Sequence, residues 1–312
     1  MLRIVCVREF FNQILQCFLV MRNKIFFILF FFQLICVTVF GDVNDSIFIL
    51  EIKSFVYKEI GMELKGDLFT KWNKEDKPYQ YVYVSLADSI KSPPELKSAF
   101  IFCGTDEEQA LKKAAEYKEK GNQVFCYKTY ANSGALLNSR FISYSGEIKC
   151  FILFHELIHN YLSQEKIKIP YEFNEALADV IGNYGALDYS TETKKTDLAL
   201  TKKQICINEK LYKCMNSFIS RINSNPEKAR QLDKKCNKRI HSILESANTF
   251  QRDRFNYEVN NAYLVKNQYY SKNYFLLKKI LRKQKSIKGL LEIMKHLPER
   301  VEDCVIYLKK YT

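Results

Sequence analysis

Apolar and polar positions change their spacing along the chain, and each spacing predicts a type of element. Between residues 46 and 65 apolar side chains recur at helical spacing, which predicts an amphipathic helix. Residues 79–85 alternate in strand fashion, and residues 99–103 and 124–127 predict two further short strands, the first of them buried. A helix is predicted at 106–119, between those two runs. This order of strands and helix predicts a small sheet.

The second half of the chain is patterned for helices. Ser145 is placed to cap one helix, Pro170 to begin the next, and the pair Asn225–Pro226 to separate two long ones. Pro298 marks a break before the last helix. The whole pattern predicts an α+β fold that is predominantly α-helical, with a small β-sheet packed beside a central helix and a C-terminal helical half.

The amino terminus combines a basic flank with an apolar run. Arg22 and Lys24 precede residues 25–40, which are almost wholly apolar, and Gly41 follows them. This order is typical of a secretory signal, and the apolar run is slightly short for a membrane span. We therefore interpret residues 1–41 as a signal peptide or N-terminal anchor. The mature protein is expected outside the cytoplasm, in the periplasm or cell envelope, either secreted or membrane-anchored.

Three details of this segment stay open. A cleavage site fits before Asp42, whereas an uncleaved anchor and a lipid on Cys36 are the alternatives. The large Ile35 stands where a lipidated cysteine would have a small residue, which counts against the lipid. Met21 has the character of a natural start, so residues 1–20 are interpreted as a mis-called extension.

Net charge and cysteine content limit the binding partners and the disulfide pairings that the sequence supports. The net charge of +13 is spread largely over lysines from Lys202 onward, without a basic motif interleaved with aromatic residues. We interpret these lysines as solvated helix faces, expect no nucleic-acid partner, and retain a weak attraction to anionic membranes. Seven cysteines follow the signal, so at least one is unpaired or pairs with another chain. The sequence does not choose among their pairings.

The motif His-Glu-Leu-Ile-His stands out because the 312-residue chain has only four histidines. On a helix His155 and His159 share one face, so both imidazoles can bind one metal ion. Glu156 lies one step around that helix, where its carboxylate can take a proton from a metal-activated water. This spacing predicts a zinc site that requires a third protein ligand.

The segment after the motif supplies that ligand. Glu175 and Asp179 are four residues apart and share a helical face. We interpret Glu175 as the third zinc ligand and Asp179 as the partner that orients a ligating imidazole through its other nitrogen. Two histidines and one glutamate leave a fourth position for water, which is the catalytic arrangement. Gly182 and Gly185 on the same helix either allow a close helix approach or end the helix.

The residues around the motif separate this site from its alternatives. Apolar residues flank and interleave with the two histidines, which disfavours a surface helix carrying solvated imidazoles. A metzincin site is not expected, because Leu162 stands where that class has glycine and Glu165 where it has its third histidine.

Three stretches of the sequence resemble a known family. The metal motif FHELIHN is followed by FNEALAD, and residues 100–140 resemble the family's strand, helix, strand and the loop before its metal helix. Near the C-terminus, VNNAYLVKNQYYSKNYFLLKKIL resembles its paired-asparagine segment with a downstream tyrosine. Together these stretches span most of residues 46–300. The chain thus resembles the bacterial aminopeptidase family of predicted zinc peptidases, whose metal site is of the thermolysin-like (gluzincin) type.

The resemblance implies a zincin-like fold and an extracytoplasmic, often membrane-associated zinc peptidase. It carries over His155, His159 and Glu175 as ligands of one Zn²⁺ per chain, and Glu156 as the general base, in agreement with the spacing. The aminopeptidase specificity comes from this resemblance alone, since Gly61–Leu64 is only faintly similar to the motif with which well-known zinc aminopeptidases hold the substrate amine.

The resemblance also singles out residues near the C-terminus. Tyr270 is expected to donate its hydroxyl to the oxyanion of the tetrahedral intermediate, with Tyr269 as a competing candidate and packing as the alternative role. Asn260 and Asn261 are expected to bind substrate.

Two departures from the family concern loops. Residues 164–169 lengthen the gap between the second histidine and the third ligand, which a flexible loop can absorb at little cost, so the metal site should survive. The loop at 131–140 is less similar to that of the family, which leaves the substrate preference open.

These observations together predict a zinc-dependent peptidase acting on peptide substrates, with an aminopeptidase specificity. The alternatives are an endopeptidase with the same site and a non-catalytic binding protein on the same scaffold. Residues 42–312 are interpreted as one zinc peptidase domain, with an α/β part at 42–135, metal-site helices at 136–190 and a helical part at 191–312. Membrane association would run through the N-terminal segment.

Overall fold

The fold was analysed in a computed structural model. The residues it describes are 45–65, 69, 71–72, 77–96, 98, 100–129 and 136–312. The predicted signal or anchor at 1–41, its cleavage site and Cys36 lie outside these residues. No helix within the described ranges is both long enough and apolar enough to cross a membrane.

A three-stranded antiparallel sheet forms the smaller part of the fold, with the alternating strand predicted at 79–85 in its centre. Val82 of this strand lies opposite Ile101 on one side and Cys126 on the other. Two further short strands pair in parallel with each other. The strands are β1 (Lys71–Trp72), β2 (Tyr79–Ser85), β3 (Phe100–Phe102), β4 (Gln123–Thr129) and β5 (Leu136–Leu137), with the sheet order β3-β2-β4 and the pair β1-β5.

Helices make up most of the described chain, so the α+β, predominantly helical prediction is confirmed. The first, α1 (45–55), continues into a π-helical turn (Val56–Ile60). The others are α2 (Glu107–Glu119), α3 (Ser139–Ser143), α4 (Gly146–Gln164), α5 (Tyr171–Thr193), α6 (Leu198–Ser224), α7 (Ala229–Leu244), α8 (Thr249–Phe255), α9 (Asn261–Ser271), α10 (Tyr274–Gln284), α11 (Ile287–Met294) and α12 (Val301–Lys309).

The two faces of the sheet pack against different partners. Val82 and Val84 lie on one face and join Ala110 and Ala114 of α2 in a small buried cluster. The aromatic residues of β2 point to the other face, because side chains alternate along a strand. The predicted buried strand at 99–103 is wrong in one respect: β3 is an edge strand, and its Phe102 is 53% exposed.

Local chemistry explains where several helices begin and end. The Asp106 side chain accepts a hydrogen bond of 2.9 Å from the backbone of Gln109, which caps α2 as predicted. The helix that opens the described chain ends at Gly61, whose φ of 74° suits glycine. The predicted break after Asn225 separates α6 from α7, and the last helix begins after Pro298.

Helices α4 and α5 pack closely at the two glycines predicted to permit it. A Cβ atom at Gly182 would lie 2.9 Å from the Phe151 ring, and one at Gly185 would lie 2.5 Å from the Phe154 ring. Both distances are shorter than van der Waals contact, so only glycine fits at this separation. This close approach brings side chains of α4 and α5 next to each other. Both helices belong to the compact unit Ile49–Thr312.

Candidate metal centre

Helix α4 holds the two motif histidines on a buried scaffold. Leu153, Phe154, Leu157 and Ile158 are each 1% exposed or less and fix the helix against the core. Serine stands at the predicted N-cap position before the helix, although its hydroxyl donates to Glu147 rather than capping the backbone. The apolar interleaving therefore fixes which way the imidazoles point.

Three side chains converge at the predicted site. Nε2 of His155 and Nε2 of His159 are 3.3 Å apart. The carboxylate of Glu175, on α5, lies 3.6 Å from the first of these nitrogens and 3.7 Å from the second. All three side chains are half-buried, and among the described residues they form the one group of histidine, cysteine and carboxylate side chains arranged to hold a metal ion.

These separations fit a zinc ion. Ligand atoms about 2.0–2.1 Å from a tetrahedral zinc are about 3.3–3.5 Å apart, because they lie at neighbouring corners of the tetrahedron. The three observed separations fall at or just above this range. His155, His159 and Glu175 therefore form a group that could hold the ion that the sequence predicted.

Each imidazole has a partner on the nitrogen that faces away from the metal position. Nδ1 of His155 lies 2.9 Å from Oδ1 of Asp179, although the direction of the contact falls outside hydrogen-bond geometry. Nδ1 of His159 is 3.2 Å from Oδ1 of Asn174. Such partners select the tautomer that leaves Nε2 free for a metal. Asp179 lies beside the outer nitrogen of His155, and its orienting role stays a prediction; Asn174 is a partner that the sequence analysis missed.

Asp179 belongs to a buried network drawn from three helices. Nη2 of Arg254, on α8, donates to both carboxylate oxygens of Asp179, at 3.0 and 2.9 Å. The Tyr212 hydroxyl, on α6, donates to the same carboxylate. Asp179 is 0% exposed and Arg254 is 8% exposed, so each compensates the buried charge of the other.

Electrostatics keep the carboxylates of the site ionised. Burial raises the pKa of Asp179, but Arg254 and His155 outweigh it and lower the pKa to about 2. Burial likewise opposes ionisation of Glu175, whereas the neighbouring imidazoles lower its pKa to about 2. Burial lowers the pKa of His155, but the carboxylates of Asp179 and Glu175 raise it to about 10. These shifts show that the site favours a positive charge beside the two carboxylates.

Tyr270 lies next to the metal ligands, on α9. Its ring stacks on that of His155, with the centroids 6.4 Å apart and 25° between the planes. The guanidinium of Arg254 lies 4.4 Å from the centre of the Tyr270 ring, and Nζ of the fully buried Lys266 lies 5.0 Å from it. Burial and the charge of Glu175 raise the pKa of the Tyr270 phenol well above its usual value, so it remains a donor.

Tyr269, the competing candidate for donation to the oxyanion, packs against a different part of the molecule. The Tyr269 ring packs edge-on against Tyr171, with their centroids 4.6 Å apart. Burial and Glu172 raise the pKa of Tyr269 to about 12. Of the two neighbouring tyrosines, Tyr270 is therefore the one in contact with a predicted metal ligand.

The two predicted substrate-binding asparagines tie α9 to the sheet. Oδ1 of Asn260 accepts from the backbone of Tyr263 and caps the helix, and its amide donates to the carbonyl of Val124 at 3.1 Å. The Asn261 amide donates to the carbonyls of Leu86 and Ala87, at 3.2 and 3.1 Å. These contacts give both residues a structural role, and their binding of substrate stays a prediction.

Glu156 is buried, at 8% exposure, on the helix that carries both histidines. Its charge acts on His155 and on Tyr81 of β2. Burial and the charges of Glu175, Tyr79 and Glu156 all raise the pKa of Tyr81, which lies on the aromatic face of the sheet.

The missed residues differ in how far they lie from the motif. Asn174 is the residue before the predicted ligand Glu175, so this adjacency in sequence could have indicated a role for Asn174 at the site. Arg254 and Tyr212 lie in other helices, and no sequence spacing relates them to residues 155–179.

Comparison of the chain with protein-family models, curated proteins and solved structures found no match.

Proposed function

We propose that this protein is a zinc-dependent peptidase. One observation carries the proposal: the donor atoms of His155, His159 and Glu175 lie within 4.8 Å of one another at separations that suit tetrahedral zinc. Asp179 and Asn174 on the outer nitrogens add support, because metal-binding histidines commonly have such partners. The resemblance to gluzincin peptidases and to a zincin-like fold belongs to the same proposal.

The residues around the ion have separate tasks. Held by His155, His159 and Glu175, a Zn²⁺ ion would supply Lewis-acid chemistry, which polarises a scissile carbonyl and lowers the pKa of a bound water towards about 7. Glu156 takes a proton from that water onto its carboxylate and delivers it to the leaving amine. Tyr270 donates its phenolic hydrogen to the oxyanion of the tetrahedral intermediate, and Arg254 with Asp179 holds His155 in place.

The Glu156→Gln variant tests the catalytic proposal. It should retain one zinc per chain, because Glu156 is not a ligand, and should lose about 10²–10⁴-fold in kcat, the usual contribution of a general base. Metal analysis and hydrolysis of a peptide library measure the two effects. Glu165→Gln, an exposed change at the end of the same helix, is the matched control and should behave as wild type.

Two results would overturn the proposal. A wild-type chain that holds no zinc after purification in zinc-containing buffer contradicts the metal site. A Glu156→Gln variant as active as wild type contradicts the role of Glu156. A zinc-loaded wild type that cleaves no peptide in the library would instead support the non-catalytic alternative.

The proposed aminopeptidase specificity follows from the resemblance and has its own test. An aminopeptidase should cleave peptides with a free amino terminus and spare their amino-blocked counterparts. Equal cleavage of both sets would identify an endopeptidase that uses the same site. Location outside the cytoplasm is proposed with it, on the basis of the N-terminal pattern of residues 22–41.

A further inference from the structure

Helices α6 and α7 form an antiparallel hairpin that contains two cysteines. Cys214 and Cys236 lie at equal sequence distances on either side of Asn225, where α6 ends. In a hairpin of two antiparallel helices, such residues lie within about one turn of the same level. The side chains of Cys214 and Cys236 face each other across the hairpin, and each affects the ionisation of the other.

The two thiols differ in access to solvent. Cys236 is 0% exposed, whereas Cys214 is half-buried and opens into a surface groove of about 510 Å³. Four basic side chains line that groove, together with apolar residues of both helices; they are Lys210, Lys213, Arg221 and Arg239. An incoming molecule with carboxylates would therefore meet a positive surface beside one accessible sulfur, with the second sulfur directly behind it.

The electrostatics of the groove activate the accessible thiol. Interaction with the Cys236 side chain lowers the pKa of Cys214; burial opposes this, and Arg239 and Arg221 add to the lowering. The same interaction, with burial, raises the pKa of Cys236. A thiolate is the nucleophile in thiol–disulfide exchange, so Cys214 is placed to react first and Cys236 second.

The other cysteines lack such a partner among the described residues. Cys103 and Cys126 share one face of the sheet, but β2 lies between their strands, which separates them by about two strand spacings, or 9–10 Å, beyond the reach of a disulfide. The thiol of Cys304 donates to the carbonyl of Pro298 at 3.0 Å. Cys206 is exposed on α6 and Cys150 is buried in α4.

We propose that Cys214 and Cys236 are a thiol–disulfide pair, oxidised by small disulfides that carry carboxylates and dock in the basic groove. The Cys214 thiolate attacks one sulfur of the external disulfide and releases the other as a thiol. The Cys236 sulfur then loses its proton and attacks Cys214, which releases the second external thiol. Two protein thiols become one disulfide while one external disulfide becomes two thiols. This inference is independent of the proposed peptidase activity.

Oxidised glutathione is the probe for this pair. The full chain is incubated with it, the remaining free thiols are alkylated, and an unreduced tryptic digest is examined by mass spectrometry. Cleavage after Lys213 and Lys235 should release residues 214–221 joined to residues 236–238. The cross-link closes a loop of about 20 residues and should raise the Tm by several degrees, an increase that reductant reverses.

Three variants sharpen the test. Cys206→Ser, on the same helix, should form the cross-link as wild type does. Cys214→Ser should abolish it. Cys236→Ala should leave glutathione attached to Cys214 as a stable mixed disulfide, because the second thiol is missing.

Several outcomes would overturn the proposal. They are free alkylation of both thiols after oxidation, a cross-link between other cysteines, and a wild-type chain that keeps the glutathione adduct as fully as Cys236→Ala does. Loss of the cross-link in Cys206→Ser would also contradict it.

Discussion

Two buried aspartates in different parts of the molecule have opposite surroundings. Asp179, in the wall of the candidate metal centre, has Arg254 and His155 as partners, which outweigh burial and lower its pKa to about 2. Asp233, in α7, is 7% exposed, and burial alone raises its pKa to about 7. Among the described residues, Oδ1 of Asp233 has no hydrogen-bond partner.

The difference shows what burial does by itself and what a partner adds. A buried carboxyl group without compensation holds its proton, because the charged form loses its hydration. An ionised carboxylate in the interior requires a cation that the fold has placed beside it, as Arg254 is placed beside Asp179. The candidate metal centre thus depends on residues from the C-terminal helices as much as on the motif itself.

The largest expected effect comes from removing the cation. Arg254→Met should remove the main compensating charge of the buried Asp179 and lower the free energy of unfolding by about 3–5 kcal/mol at pH 7. Urea unfolding measures it. Arg252→Met is the matched control on the same helix, α8. It removes an exposed arginine that donates to the carbonyl of Ala247, and it should lower the free energy of unfolding by only about 1 kcal/mol.

A double variant separates charge from packing in that result. Arg254→Met combined with Asp179→Asn removes both charges and should recover much of the lost stability. If the double variant is as unstable as the sum of the two single variants, the pair is not electrostatically coupled and the contrast between the two aspartates disappears.

Asp233→Asn should act in the opposite direction and depend on pH. The folded state, with a pKa of about 7, keeps a proton that the unfolded state releases near pH 4, so wild-type stability falls as pH rises between these values. Asparagine stays neutral, so the variant should be more stable by about 2–4 kcal/mol at pH 8 and equal to wild type near pH 3.5. Unfolding curves at both pH values test this.

The exposed Glu245→Gln, at the end of the same helix, is the control and should change stability little at either pH. A gain for Asp233→Asn of the same size at both pH values would contradict the raised pKa. A loss at pH 8 would show that the carboxylate is compensated after all.

Asp179→Asn should weaken zinc binding about 10- to 100-fold, because the amide can still contact His155 but no longer supplies negative charge. Competition with a chelator of known affinity measures the change. Asp188→Asn, more than two turns further along α5, is the control and should leave the affinity unaltered. Equal affinities of Asp179→Asn and wild type would contradict the orienting role.

The smallest effect is expected at the neutral partner. Asn174→Ala removes the amide beside His159 and should weaken zinc binding about tenfold, the lower end of the range for such partners. The same chelator competition compares it with Asp179→Asn. If Asn174→Ala proves the more damaging of the two, charge is not what distinguishes the partners of the two imidazoles.

Much of the fold followed from local patterns. The alternation at 79–85 predicted the central strand, and the side chain of Asp106 and the pair Asn225–Pro226 predicted helix ends that the structure contains. These features depend on residues only a few positions apart. The burial of β3 was predicted wrongly, because an apolar run does not reveal whether a strand has one neighbour or two.

The predicted metal ligands could also be found from local spacing, whereas the residues that surround them could not. His155 and His159 share a face through helical periodicity alone, and Glu175 follows after one loop. Arg254 and Tyr212 reach Asp179 only because helices α6 and α8 pack beside α5. Pairing of the seven cysteines was equally open, because many pairings are compatible with one order along the chain.

The sequence by itself thus determined the zinc-type donor pattern, since backbone periodicity places residues three and four apart together without help from the rest of the chain. Only the tertiary structure decided which charges lie behind those donors, which tyrosine faces them and which two cysteines face each other across the α6–α7 hairpin. Those contacts join residues far apart in the chain. The distances between these residues are set by the packing of whole helices, which approach closely at Gly182 and Gly185.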